Sequence, residues 1–272
     1  MKHLLLISNI SIENKLLLEY AMAFCEHYQC KLHVLHVDNY EKPVLVSSAH
    51  YYNETDIDYT DFIEDGFGQD VMQKISNVAD KEWVKITIGK GNQEEILASF
   101  INDNFIDFII IGNTELNAKT NFINHKNLLL NVVDTPLLVV PELQVFKPFD
   151  VFKFLTSQSE SDIEDIVHLS SVFSDSQIRV VHKTKKEEDV KGMNWKNYIT
   201  TKVPDRVSFE DIQESISEYV KKENHAINKA CDAFVFTAKK RNFWSRLLDP
   251  STTLSYLAGL EMPSVIYKVE GE

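Results

Sequence analysis

The sequence predicts an α/β protein made of two tandem doubly wound units, each built on a five-stranded parallel sheet. Three observations carry that expectation. Short apolar runs alternate with amphipathic segments along the whole chain. The order β-α-β-(α)-β-α-β-α-β occurs twice, joined near Glu142–Pro148. The copies also share punctuation: Asp107 and Asp232 each open a fourth strand, and Pro136 and Pro263 each open a fifth. Alternating strands and helices imply a parallel sheet with right-handed crossovers and helices on both faces.

In the first copy, "HLLLIS" reads as a strand. A helix follows, with Leu17, Tyr20, Ala21, Phe24 and Tyr28 on one face and Ser11 as its expected N-cap. "KLHVLHV" returns as a second strand, parallel to the first because the crossover is a helix. An acidic, turn-rich excursion comes next, then a helix expected around 67–78 and a third strand, "WVKITIG". "NQEEILASFINDNF" is a helix with Glu94 and Glu95 near its positive end. "DFIIIG", apolar throughout, has the character of a central parallel strand. "NLLLNVV" reads as a short helix and "PLLVVP" as the last strand.

The second copy begins with the strand "VFKFLTS" and the helix "SESDIEDIVHLSSVF", where Ser161 and Glu164 stand in capping-box register. "SQIRVVHK" is a strand. A Lys/Glu-rich stretch then leads to "RVSFEDI" and the helix "QESISEYVKKENHAINKA". "CDAFVFT" and "MPSVIY" take the places of "IDFIIIG" and "TPLLVV". The expected units are residues 1–143 and 148–272, the second shorter and more divergent.

Composition narrows the function classes. Of 272 residues, 44% are hydrophobic and 25% charged, as in a globular protein. No apolar run approaches the roughly 20 residues that cross a bilayer, and "MKHLLLISN" lacks the features of a signal peptide, so a cytoplasmic location without membrane contact is expected. A net charge of −13 opposes nucleic acid as a partner. That charge is uneven: residues 1–141 carry −10 and residues 142–272 carry −3. Cys25, Cys30 and Cys231 match neither a zinc set nor a C-x-x-C pair and read as reduced thiols. The segment 54–70 holds seven carboxylates but fails the calcium-loop pattern, with Asp61 where glycine is required. His33 and His36 point to opposite faces of one strand, so they do not form a metal pair. No nucleophile–base pair stands out, and no enzymatic activity is expected.

In sheets of this kind ligands sit beyond the carboxyl ends of the strands, where strand order reverses. For the first copy that edge carries Asn9, Asp38, Gly112 and Asn113. In the second it carries "AKKRNFWSRLLDPSTT", where Lys240 and its basic neighbours precede a helix start at Ser251 and Thr252.

"LHVLHV" closing the first β-α-β, with the duplicated "DFIIIG"/"DAFVFT" and "TPLLVV"/"MPSVIY" segments in this order, resembles the universal stress protein family over nearly the whole chain. That resemblance implies a Rossmann-like, adenine nucleotide alpha hydrolase-like fold, and fifth strands that pair across a dimer or, here, a pseudo-dimer of the two units, with room for a homodimer. Nucleotide-binding members carry G-x2-G-x9-G-(Ser/Thr) from the end of strand four, because glycine lets backbone N–H groups approach phosphate. Laid from Gly112, the pattern falls on Glu115, His125 and Lys126; laid from Thr237, it falls on Lys240, Pro250 and Ser251. The family's adenosine-contacting Asp is replaced by Asn9 and Ser157. "GKGNQ" keeps glycines before the third helix without the family's proline. The resemblance therefore implies a stress-response or signalling module with a degenerate ATP site. It would act through protein contacts with partners the sequence does not name, and without a resident cofactor. The alternative is a sensor holding ATP, AMP or another anion, weakly, at a divergent site.

Overall fold

The computed structural model describes residues 2–7, 14–38, 50–52, 82–90, 93–113, 135–156, 160–183, 190–203, 205–226, 230–239 and 259–269. Two compact units emerge, Met1–Thr135 with Glu142–Phe146, and Pro136–Pro141 with Lys147–Glu272. Among the described residues no helix is long and apolar enough to cross a membrane.

The first unit runs β1 (His3–Ile7), α1 (Asn14–Tyr28), β2 (Lys31–Asp38), β3 (His50–Tyr52), β4 (Val84–Lys90), α2 (Gln93–Asn104) and β5 (Phe108–Gly112). Its strands lie in the order β3-β4-β2-β1-β5. The four longer ones are parallel, as βα crossovers require. β3, which the sequence reading leaves inside the acidic excursion, pairs antiparallel with β4 and extends the edge. Leu17, Tyr20, Ala21 and Phe24 are buried, so the predicted face of α1 is its packing face. The helices predicted at 67–78 and at "NLLLNVV", the Ser11 cap and the 54–70 segment lie outside the described residues.

The second unit begins with β6 (Leu137–Val140) and continues β7 (Val151–Thr156), α3 (Glu160–Val172), β8 (Gln177–Lys183), α4 (Val190–Lys202), β9 (Val207–Ile212), α5 (Ile216–Asn224), β10 (Ala233–Lys239) and β11 (Ser264–Val269). The order is β6-β11-β10-β7-β8-β9. β7 to β11 pair in parallel, while β6 joins β11 antiparallel, Val139 opposite Ser264 and Leu137 opposite Ile266. On β7, Phe152 meets the Phe173 ring at the end of α3, whereas the next residue, Lys153, meets α5. Successive side chains on a strand point to opposite faces, so helices cover both.

Three local expectations shift. α4 forms within the stretch read as merely Lys/Glu-rich. α5 ends at Asn224, shorter than its predicted run. The capping box lies not at Ser161, which is inside α3, but at α5, where the Ser215 and Glu218 side chains satisfy each other's backbone N–H groups.

The repeated aspartates have a physical role. Asp107 Oδ2 accepts the His3 N–H at 2.7 Å, and Asp232 Oδ2 accepts the Val151 N–H at 2.8 Å and the Asp150 N–H at 2.9 Å. Each carboxylate thus ties the start of the fourth strand to the start of the first, with charge-assisted bonds that fix the register of the central pair.

Candidate functional site

Strand order reverses between β1 and β5 in the first unit and between β7 and β10 in the second. In the first unit β5 ends at Gly112, half-buried, followed by Asn113. Asn113 is buried and its Oδ1 accepts the Glu142 N–H at 3.0 Å, so it tethers the returning chain instead of facing a cleft. Gly89 has a packing role: a Cβ there would stand 2.7 Å from Cγ2 of Ile96 on α2, well inside van der Waals contact. Asp38 is the last residue of β2, in register with Lys90. Asn9, Lys240, Ser251 and Thr252 lie outside the described residues, as do Glu115, His125, Lys126, Ser157 and Pro250.

At the equivalent edge of the second unit, sequence reasoning missed a polar cluster. Thr156, the last residue of β7, donates its hydroxyl to Asp162 Oδ2 in α3, and both side chains are buried. Asp165 follows on the same helix; burial, with Asp162 and Glu164 nearby, pushes its carboxyl up to about 8, so it is protonated at neutral pH. Tyr267 on β11 hydrogen-bonds His168 Nδ1 at 2.9 Å, and burial, then Asp165, raises its phenol well above the ordinary value. Thr237 Oγ1 on β10 and Asp165 Oδ2 are shielded from solvent without a hydrogen-bond partner. Such a cluster suits an anion poorly, since carboxyl groups stand where cations or free N–H groups are needed. The available signal was Asp162 itself, a carboxylate on the apolar stripe shared with Ile166 and Leu169.

A second polar centre lies beneath α5. Lys153 is 1% exposed, and its Nζ donates to Tyr219 Oη at 2.6 Å and to Glu223 Oε2 at 2.7 Å. Tyr219 donates in turn to Glu210 Oε1 at 2.7 Å, and Glu210 pairs with Arg179 at 3.9 Å. The network joins β7, β8 and β9 to α5 and uses the ammonium's bonding capacity internally, as a buried charge requires. "VFKFLT", a lysine inside an apolar strand, was its mark in the sequence. Among the described residues no group of three or more His, Cys, Asp or Glu could hold a metal ion.

Each unit is therefore an open, mostly parallel α/β sheet, and at the reversal point of the second the described side chains of Thr156, Asp162 and Asp165 crowd the edge. No protein-family model matches the chain, and neither does any curated protein. Solved structures do. A universal stress protein from Archaeoglobus fulgidus DSM 4304 superposes with a TM-score of 0.62 at 14% identity, over 98% of this chain and 96% of that one. A putative universal stress protein from Pseudomonas aeruginosa UCBPP-PA14 gives 0.56 at 12% identity, over 98% and 93%. The cytoplasmic domain of a prokaryotic cation chloride cotransporter gives 0.50 at 10%, over 97% and 94%. The chain thus has the universal stress protein fold along nearly its full length.

Proposed function

We propose that this protein is a non-catalytic stress-response or signalling module that acts through protein contacts and has given up nucleotide binding. The observation that carries the reading is the side-chain filling of the reversal point in the second unit by Asp162 and Asp165 under Thr156 and Thr237. A triphosphate placed there meets two buried carboxyl groups where a phosphate site needs cations or free N–H groups. In the first unit the roles of Asn113 and Gly89 point the same way: one binds the returning backbone and the other makes room for a helix. The cotransporter domain among the structural neighbours supports a contact role, since there the fold is one part of a larger protein.

A sensor holding ATP, AMP or another anion at a divergent site is the second reading. It is favoured by Thr237 Oγ1, a shielded hydroxyl without a partner that a ligand oxygen could accept from. Calorimetric titration of the full chain with ATP and with AMP, each with and without magnesium, separates the two. No heat of binding at micromolar nucleotide is the expected result. Micromolar affinity overturns the proposal in favour of the sensor.

A further inference from the structure

α1 ends in a Schellman motif: Gln29 sits in the left-handed region at φ 53°, and the Cys30 N–H donates to the Cys25 carbonyl at 2.9 Å. This 6→1 bond brings the two flanking residues together, and an apolar contact between them commonly completes the motif. α2 ends in the same way, with Phe105 at φ 50° and Ile106 N–H reaching Ile101 O at 3.4 Å, and its contact pair is two isoleucines. In α1 the pair is two thiols, Cys25 and Cys30, 1% and 3% exposed, with the Cys30 thiol donating to the Tyr28 carbonyl at 3.6 Å. A direct N–H···O=C bond between two residues holds their Cα atoms roughly 6 Å apart, inside the range a disulfide spans. Both cysteines are free in this structure.

We propose that Cys25 and Cys30 form a dithiol site that hydrogen peroxide converts to an intramolecular disulfide. The oxidant class follows from burial, because two nearly enclosed sulfurs admit only a small molecule. The thiols are electronically distinct. Cys30 is held below its ordinary value, first by the neighbouring Cys25 thiol and further by the Lys2 ammonium, against burial and Asp107. Cys25 is pushed up by its Cys30 neighbour and by burial. Cys30, the more readily deprotonated of the two, is therefore the attacking group, and Cys25 the resolving thiol. Cys30 sulfur attacks one peroxide oxygen and the O–O bond breaks; the departing hydroxide takes a proton to become water, leaving Cys30 as the sulfenic acid. Cys25 then loses its proton, its sulfur attacks the Cys30 sulfur, and the S–O bond breaks to release a second water. Two thiols lose two electrons to one peroxide, so the step balances. The reacting turn also carries Tyr28, whose ring lies 6.1 Å from Phe146 on the chain returning across this unit, so oxidation occurs where that chain docks.

Both thiols fall between Lys15 and Lys31, in one tryptic peptide, and Cys231 falls in another. The test treats the folded full-length chain with peroxide, quenches with an alkylating reagent in denaturant so that every remaining thiol is reached, and maps peptide masses. The 16–31 peptide should lose two hydrogens, recover them with dithiothreitol, and do so about tenfold faster than Cys231 is modified, since thiolate character sets the rate. Burial first of all pushes the Cys231 thiol up to about 12, which makes it the internal control. In Cys25→Ser the reaction should stop at a Cys30 sulfenic acid that dimedone traps. If both thiols in the wild-type peptide remain alkylatable after peroxide, or if Cys231 reacts as fast, the proposal is wrong; neither readout depends on a variant folding.

Discussion

The hydrogen bonds of the two aspartates align the units residue by residue: His3 with Val151, Leu5 with Lys153, His33 with Arg179, Thr87 with Glu210, and Gly89 with Ile212. Under the helix that packs on this face, the first unit sets apolar Leu5, 0% exposed, beside the neutral polar groups His33 and Thr87, and Gly89 admits Ile96. The second unit has a lysine in place of the leucine, a glutamate in place of the threonine, and a full side chain at Ile212. One backbone plan thus accepts two solutions to the same burial problem, uncharged packing or a satisfied ionic network. The second carries a larger penalty if any member is removed.

The sharpest way to break this comparison is to unbalance the network. Glu223→Ala leaves the Lys153 ammonium with its closest counterion gone and should lower unfolding free energy by about 3 kcal/mol. Adding Lys153→Met, which imitates the Leu5 solution, should restore most of it; chemical denaturation of the single and double variants checks both. Additive losses would mean the network is not a unit. Gly89→Ala should be the next largest effect, about 1–3 kcal/mol from overpacking against Ile96, read as a lower midpoint in the same assay.

The smallest effects are in pH dependence, and the two units should differ in sign. Burial, with His3, Lys85 and Lys31, brings the His33 imidazole down to about 4. Unfolded histidine takes up its proton near 6.5, so the unfolded chain holds more protons between those values and the first unit loses stability as pH falls through them. Asp165 behaves oppositely: its folded value of about 8 exceeds the unfolded one, so the second unit loses stability as pH rises from about 4 to about 8. His182, lowered chiefly by burial, adds an acid-side slope to the second unit. His33→Gln and Asp165→Asn isolate the two contributions. Hydrogen exchange followed unit by unit should show each variant flattening only its own slope.

The sequence made the architecture legible because burial leaves a periodic trace. "FIII" announces a central strand and "LLVV" a fully buried one, and Leu17 to Phe24 announce the face of α1. α4 was hidden because "VKGMNWKNYITTK" is mostly polar and Trp195 and Ile199 are its few buried anchors. Asp165 and Lys153 are not legible as members of polar clusters because their meanings come from residues far along the chain: Tyr267 for the aspartate, Tyr219 and Glu223 for the lysine. Cys25 and Cys30 were dismissed because a five-residue spacing fits no motif list, yet a left-handed Gln29 turns that spacing into contact. The glycine deficit after Gly112 was readable directly, since it depends on residue type alone.

One feature of the path bears on ancestry. The chain pairs β6 antiparallel with β11 in the second unit, goes back to Glu142–Phe146 in the first, and only then enters β7. A gene split at its apparent midpoint would not yield two self-sufficient proteins, because the downstream product would lack β6 and expose the flank of β11 to whatever strand it met. In a chain joined in this way, removing the first copy through β6 would also strip the second of the strand that covers β11.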